Sequence, residues 1–517
     1  LADIVRFRSS GTETLRIDAS GRLGVGVTPS AYGSSVKVVQ LANAAVYGIG
    51  QNAYLAANNY FDGSNNRYIA TDEASRLYQA AGAFVFESAA SGSAGGAITF
   101  SEKLRIAADG SLSTPTAGTS NFKAGVNAGN SIESGGNYNV VVGDEAGTTI
   151  STGDNNILVG FEAGTGINTG GSNVAVGSEA LKTNSSGNQN VAVGYAAMRD
   201  LTTAGNNTAV GNAAMRENET GAQCSAFGRN ALLNNVSSNS NTAVGASSLS
   251  ATTSANNTGV GHNSGTNNIG GTQNVFVGAE AGEFATTADN CTFVGYQAAQ
   301  GITGTKLTGN NNTAIGASAG LLLQGAALNN TFLGALAAEN ATTNGANTII
   351  GYNIDCSGTN VDYEVAIGTG FTAGGTHTVR IGTSGGTATL SLDGSDTSWA
   401  AASDSRLKKD VADSTVGLEF IKDLRPVTFK WNAKNAVANS LPQYNADSSD
   451  PVYGEGKAHH GFIAQEVKAV IDSHSDVVNG HNLWSEDPDG TQQLSPSALV
   501  PMLTKAVQEL STALDAA

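Results

Sequence analysis

Along residues 137–382 a short apolar run returns at near-constant spacing, and a glycine closes it each time. Examples are Asn173-Val174-Ala175-Val176-Gly177 and Asn190-Val191-Ala192-Val193-Gly194, and the phrase returns from Asn207 to Gly211 and from Asn274 to Gly278. The closing glycine stands at 143, 160, 177, 194, 211, 228, 245, 261, 278, 295, 316, 334, 351, 368 and 382, so the commonest step is 17 residues. The residue before each glycine is apolar, and the residue two earlier is mostly Val or Thr. Alternate residues of a strand share a face. Between them stands Ala (Ala175, Ala192, Ala209, Ala243) or, less often, Phe (Phe276, Phe293, Phe332). Each period therefore predicts one short strand with a large apolar side and a small-residue side, followed by a Gly/Asn/Ser/Thr turn. One such strand cannot bury itself, but stacked repeats can, which predicts a parallel β-solenoid or β-roll of about 17-residue coils. No proline occurs between Pro115 and Pro426 to remove a donor from the ladder. The Asn four residues before each glycine is expected to stack on its equivalents at ~4.8 Å. Cys224 and Cys291 occupy that slot four coils apart, too far to bridge, and read as small buried thiols.

The flanks follow other patterns. Residues 1–115 carry a twice-used phrase, Leu15-Arg16-Ile17 with Gly21-Arg22-Leu23 and Leu104-Arg105-Ile106 with Gly110-Ser111-Leu112. Alternation around a Gly-containing turn predicts two β-hairpins. Between them lie Tyr47, Tyr54, Tyr60, Phe61, Tyr68, Tyr78, Phe84 and Phe86, enough for the core of a small β-domain; exposed, they would instead suit a glycan. Residues 116–136 read as a connector, 137–382 as the solenoid and 383–402 as a junction or tip. From 403 to 517 prolines and charges return, and helical periodicity appears over 411–423 and 496–513, predicting an α+β domain that ends in helices. The chain is thus expected to be mainly β.

Composition narrows the function. The chain has 517 residues, 26 basic against 43 acidic side chains and a net charge of −17, which argues against nucleic acid as a partner. No apolar run reaches the ~20 residues of a membrane-spanning helix. Three cysteines make no disulfide framework. No phosphate loop, calcium repeat or spaced carboxylate pair is present, so no cofactor and no metal is expected; His459 and His460 read as packing or surface residues. Leu1 opens no signal-peptide pattern, so the sequence reads as a piece of a longer product.

Two resemblances add to this. The N-x-A-V-G-x-x-A phrase of 137–382 resembles the head repeats of trimeric autotransporter adhesins, although its period is longer; the likeness implies three identical chains packed together. An ice-binding solenoid is a rival because Thr208, Thr242 and Thr258 share one slot, but Val fills that slot in the early coils. Four blocks after Gly394 are Ser403-Asp404-Ser405-Arg406-Leu407-Lys408, Leu424-Arg425-Pro426-Val427-Thr428-Phe429-Lys430-Trp431, His460-Gly461-Phe462-Ile463-Ala464-Gln465-Glu466 and Leu499 to Leu510. Together they resemble the peptidase S74 family, the C-terminal intramolecular chaperones of phage tail fibres and endosialidase tailspikes. The resemblance implies a homotrimer whose chaperone cuts itself off between Ala402 and Ser403, with Ser403 as nucleophile and Lys408 as base. A serine beside its own preceding carbonyl needs no bimolecular encounter. The lysine must be neutral, which burial on assembly or the nearby charges of Arg406 and Lys409 would favour. The expectation is a receptor-binding tail fibre of a phage or prophage, located in the virion tail. It is made in the host cytoplasm and acts outside the cell. Its partners would be a host surface glycan or outer-membrane component and, at its N-terminal end, other tail proteins. A polysaccharide-degrading tailspike and a cellular trimeric adhesin are the alternatives.

Overall fold

Two-residue alternation of buried and exposed positions builds the N-terminal region, as in Lys37–Leu41, where Val38 and Gln40 are buried and Val39 and Leu41 exposed. The computed structural model describes residues 5–392, 400–401, 405–439, 441, 443–453, 456–477, 482–487 and 490–516. The chain divides into two units, Leu1–Ala402 and Ser403–Ala517.

In the first unit, twelve strands precede the repeats: β1 (Val5–Ser9), β2 (Thr12–Ile17), β3 (Leu23–Val25), β4 (Lys37–Leu41), β5 (Ala44–Ile49), β6 (Asn52–Ala57), β7 (Asn59–Phe61), β8 (Asn66–Tyr68), β9 (Asp72–Ala80), β10 (Ala83–Gly92), β11 (Ser101–Ile106) and β12 (Leu112–Ser113). All but the separate β7–β8 hairpin join one sheet in the order β1-β2-β3-β4-β5-β6-β9-β10-β11-β12. The two phrases met in the sequence are hairpins, with Ile17 opposite Leu23 and Ile106 opposite Leu112. The tyrosines form a core on one face: Tyr47 and Tyr54 stack at 4.8 Å and Tyr54 and Tyr78 at 5.1 Å, with Tyr32 buried against them. Phe84 and Phe86 lie exposed on the opposite face.

Next comes a sheet of 18 strands among the described residues, parallel from Phe122–Ala124 to Thr378–Thr383. Register holds from coil to coil: Val174, Ala175 and Val176 face Val191, Ala192 and Val193. The stack begins earlier than expected, inside the stretch assigned to the connector. Asn121-Phe122-Lys123-Ala124-Gly125 forms the first strand, and Lys123 in the small-residue position disguises the phrase. The facing of each strand is also decided here. The middle residue points into the coil and is fully buried, while the Val/Thr columns on either side lie outside, partly exposed. The interior takes its bulk from a second column, Leu181, Met198, Met215 and Leu232, which are fully buried. Volume is conserved around it: Leu181, Met198 and Met215 accompany Ala175, Ala192 and Ala209, whereas Phe276 lies between Gly265 and Gly282. A close-packed interior rejects two large residues at one level.

The asparagine column forms the expected ladder, wholly buried. Asn190 donates its own N–H to Asn173 Oδ1 (3.0 Å) and accepts the Asn207 N–H on its own Oδ1 (3.1 Å). Its Nδ2 donates to the Ala204 carbonyl at 2.9 Å. Each side chain thus satisfies backbone groups of two neighbouring coils that water cannot reach. Cys224 and Cys291 sit in the column, buried and free, and burial pushes both thiols up. Glu364 stands in the same slot before Gly368 and accepts the Gly375 N–H at 2.9 Å. Asn190→Ala strands the Asn207 N–H and the Ala204 carbonyl, and is expected to cost about 3 kcal/mol. Chemical denaturation beside the parent chain measures this; a loss below about 0.5 kcal/mol would show that the ladder is not a stability element. The solenoid ends where Gly386–Ser391 turns back antiparallel on Thr378–Thr383 and Ala400–Ala401 pairs with Thr389 and Ala388.

The second unit is smaller. The helix expected over 411–423 is only α1 (Leu418–Asp423), because Asp413, Ser414, Thr415 and Gly417 favour turns and caps over helix. The others are α2 (Ala464–Ser473) and α3 (Leu499–Asp515), the latter entered through a 3-10 turn at Pro496–Ala498. Val416, Phe420, Leu424, Val467, Ile471 and Leu499 form the core with Val477 and Leu483.

Candidate functional site

The segment that should carry the cutting chemistry begins with Ala402 and Ser403, which lie outside the described residues. Before it, Ala401 pairs with Ala388 at the edge of the solenoid sheet. After it, Ser405–Leu407 makes one 3-10 turn, and the Lys408 N–H donates to the Ser405 carbonyl at 3.2 Å. The Arg406 and Lys408 side chains are exposed in the single chain. Lys409 Nζ lies 3.9 Å from Asp410 Oδ2, both well exposed.

The three remaining blocks come together in space. Val427–Phe429 of the second block pairs antiparallel with His459–Gly461 of the third. Across this pair Arg425 Nε donates to Glu466 Oε2 at 2.9 Å; the arginine holds the Glu466 carboxyl below the usual carboxylate range. His459 stacks on Phe429 (5.7 Å), which also meets Trp431 edge-on, so this histidine has the packing role expected of it. The fourth block is α3. Its Glu509 accepts the Leu418 N–H at 2.8 Å and thereby caps α1 from 91 residues away. Gly417 allows this approach, since a Cβ there would stand 2.7 Å from Glu509 Cδ. A carboxylate at a helix N-terminus also suits the helix dipole.

One feature escaped the reading of the sequence. The inner face of α3 is occupied by Leu499, Met502 and Ala506, packed in or against the core. A second apolar stripe, Val500, Leu503, Val507, Leu510 and Leu514, is 45 to 76% exposed. Its steps of three, four, three and four residues are those of a coiled-coil seam. The signal was present in the order of residues, overlaid on the core-facing stripe of the same helix. Among the described residues no group of His, Cys, Asp and Glu is arranged to hold a metal ion.

No curated protein and no solved structure matches the chain. Residues 403–476 match the peptidase S74 family model, described as the chaperone of endosialidase.

Proposed function

We propose that this chain is the subunit of a homotrimeric tail fibre of a phage or prophage, whose C-terminal unit is an intramolecular chaperone that cuts itself off between Ala402 and Ser403. The observation that carries the reading is the exposed seam of α3 in a unit whose residues 403–476 match the endosialidase chaperone, and which follows a β-solenoid in the sequence. A helix apolar on two sides needs partners on the second. Copies of itself meet that need with a seam of three- and four-residue steps. The Val/Thr columns outside the solenoid offer a further lengthwise surface for the same assembly.

In the cutting step Ser403 Oγ attacks the Ala402 carbonyl carbon while Lys408 Nζ accepts the hydroxyl proton. The Ala402–Ser403 peptide bond breaks, its nitrogen takes up a proton, and the acyl group passes to Oγ as an ester. Water then hydrolyses the ester, leaving the Ala402 carboxylate and a new amino terminus at Ser403. Lys408 is exposed in one chain. Burial of its amine between subunits would favour the neutral form, making cutting conditional on assembly. After release, the surface around 350–402 becomes the distal tip and contacts a host glycan or outer-membrane component, while the N-terminal end joins other tail proteins in the virion.

Denaturing electrophoresis with intact mass tests the cutting step on the purified chain beside Ser403→Ala and Lys408→Ala. A fragment beginning at Ser403 is expected from the parent, none from Ser403→Ala, and a release slowed about 10²–10⁴-fold in Lys408→Ala. An uncut parent trimer would overturn self-cleavage and leave the unit as a trimerisation clamp.

A further inference from the structure

The ten-stranded N-terminal sheet has one face that its own chain leaves open. Register places Val39, Val46, Leu55, Leu77, Phe86 and Leu104 in a single transverse row across β4, β5, β6, β9, β10 and β11. The row continues through Leu23 of β3 and Ile17 of β2 to Val5 of β1. Nine consecutive strands thus contribute an apolar side chain to one line, with no charged residue among them. A parallel row beside it begins Phe7, Leu15, Val25, Leu41.

The opposite face is finished. Over β4–β9 it holds the tyrosine core, and on β1 and β2 it carries ion pairs, with Glu13 Oε2 3.4 Å from Arg6 Nε and Glu13 Oε1 2.6 Å from Arg16 Nε. The open face is not finished: Leu55 is 56% exposed, Val46 49% and Phe7 57%. Its exposed apolar residues together offer on the order of 900 Å², about what one partner gives to a standard protein interface. A chain in solution does not leave a contiguous apolar surface of that size uncovered.

We propose that this face packs against the same face of further copies of this chain, so that the N-terminal sheet is a second self-association element at the far end of the sequence from α3. The proposal rests on the homotrimer reading, which supplies identical faces at high effective concentration. The chemistry of the row favours this occupant. A sugar would find hydroxyl partners at the margins of the row, at Ser75, Gln79 and Lys103, but none along its nine apolar side chains. An anionic membrane surface would find Lys37 and Lys103 beside it, short of the cluster of about four or more basic side chains that such a surface calls for.

The test uses the full chain carrying Leu55→Cys, with Val46→Cys as a second position and Ser34→Cys, in an exposed loop, as the reference; the three native cysteines are buried. Maleimide labelling of the assembled protein is expected to be at least tenfold slower at positions 46 and 55 than at position 34. Sedimentation of the same samples separates the two ways of failing. A trimer that labels at 46 and 55 as fast as at 34 overturns this proposal alone and leaves the face to a different partner. A monomer overturns the homotrimer reading and this proposal with it.

Discussion

A Gly177→Ala chain is expected to lose about 4 kcal/mol of stability. Gly177 has φ of +133°, and a Cβ there would stand 2.5 Å from the Gly194 carbonyl oxygen. Two effects add. The backbone region is nearly closed to residues with a side chain, at about 1–3 kcal/mol. The methyl group also meets backbone of the next coil, which cannot rotate away, at about 1–3 kcal/mol for overpacking. The coil cannot shift to relieve the clash without breaking the hydrogen bond from the Gly177 N–H to the Val159 carbonyl, 2.8 Å. Because each coil contacts only its neighbours, the loss should appear as local opening around 160–194 before the rest of the stack unfolds. Gly304→Ala is the control, since nothing lies within 4 Å of a Cβ there, and it should change stability by less than about 0.5 kcal/mol. Hydrogen exchange and denaturant melts measure both. Equal melts for the two variants would mean that the glycine column does not set the coil spacing.

The double variant Val507→Glu, Leu510→Glu is expected to abolish the proposed trimer while leaving each C-terminal unit folded. Both residues project away from the unit's own core and are more than half exposed, so the single chain does not use them. In an assembled seam each would contribute about 2 kcal/mol by burial, and six such side chains per trimer make a loss on the order of 10 kcal/mol before the repulsion of six carboxylates is counted. Sedimentation at micromolar concentration should show a monomer with unchanged helical circular dichroism. If cutting depends on assembly, the fragment beginning at Ser403 should disappear as well. A variant that still sediments as a trimer would remove α3 from the assembly.

How far each feature could be read in advance depended on whether its signal was local. The solenoid was legible because one period repeats the same local instruction: Asn to cap the strand, alternating apolar residues to make it, Gly to turn it. The Asn190 ladder followed from that repetition, since identical residues in register must stack. The boundary was missed at Lys123 because an end coil is open on one side and tolerates a long polar side chain there. The paired blocks around Phe429 and His459 and the cap of Glu509 on Leu418 were beyond local reading, as they join residues 30 and 91 apart in sequence.

The order of residues alone was sufficient for the coil period, the buried amide column, the hairpins flanking the tyrosines and the block pattern of the C-terminal unit. It could not say which side of each strand faces inward, because Val-Ala-Val alternates equally well in either sense. Packing decided that: the coil is too narrow for two large columns, so Leu181 and Met198 fill it and the valines lie outside. Nor could it distinguish an apolar stripe spent on the chain's own core from one left over. Leu499 and Val500 are apolar neighbours, and only the folded unit tells them apart, by covering the first and leaving the second in water.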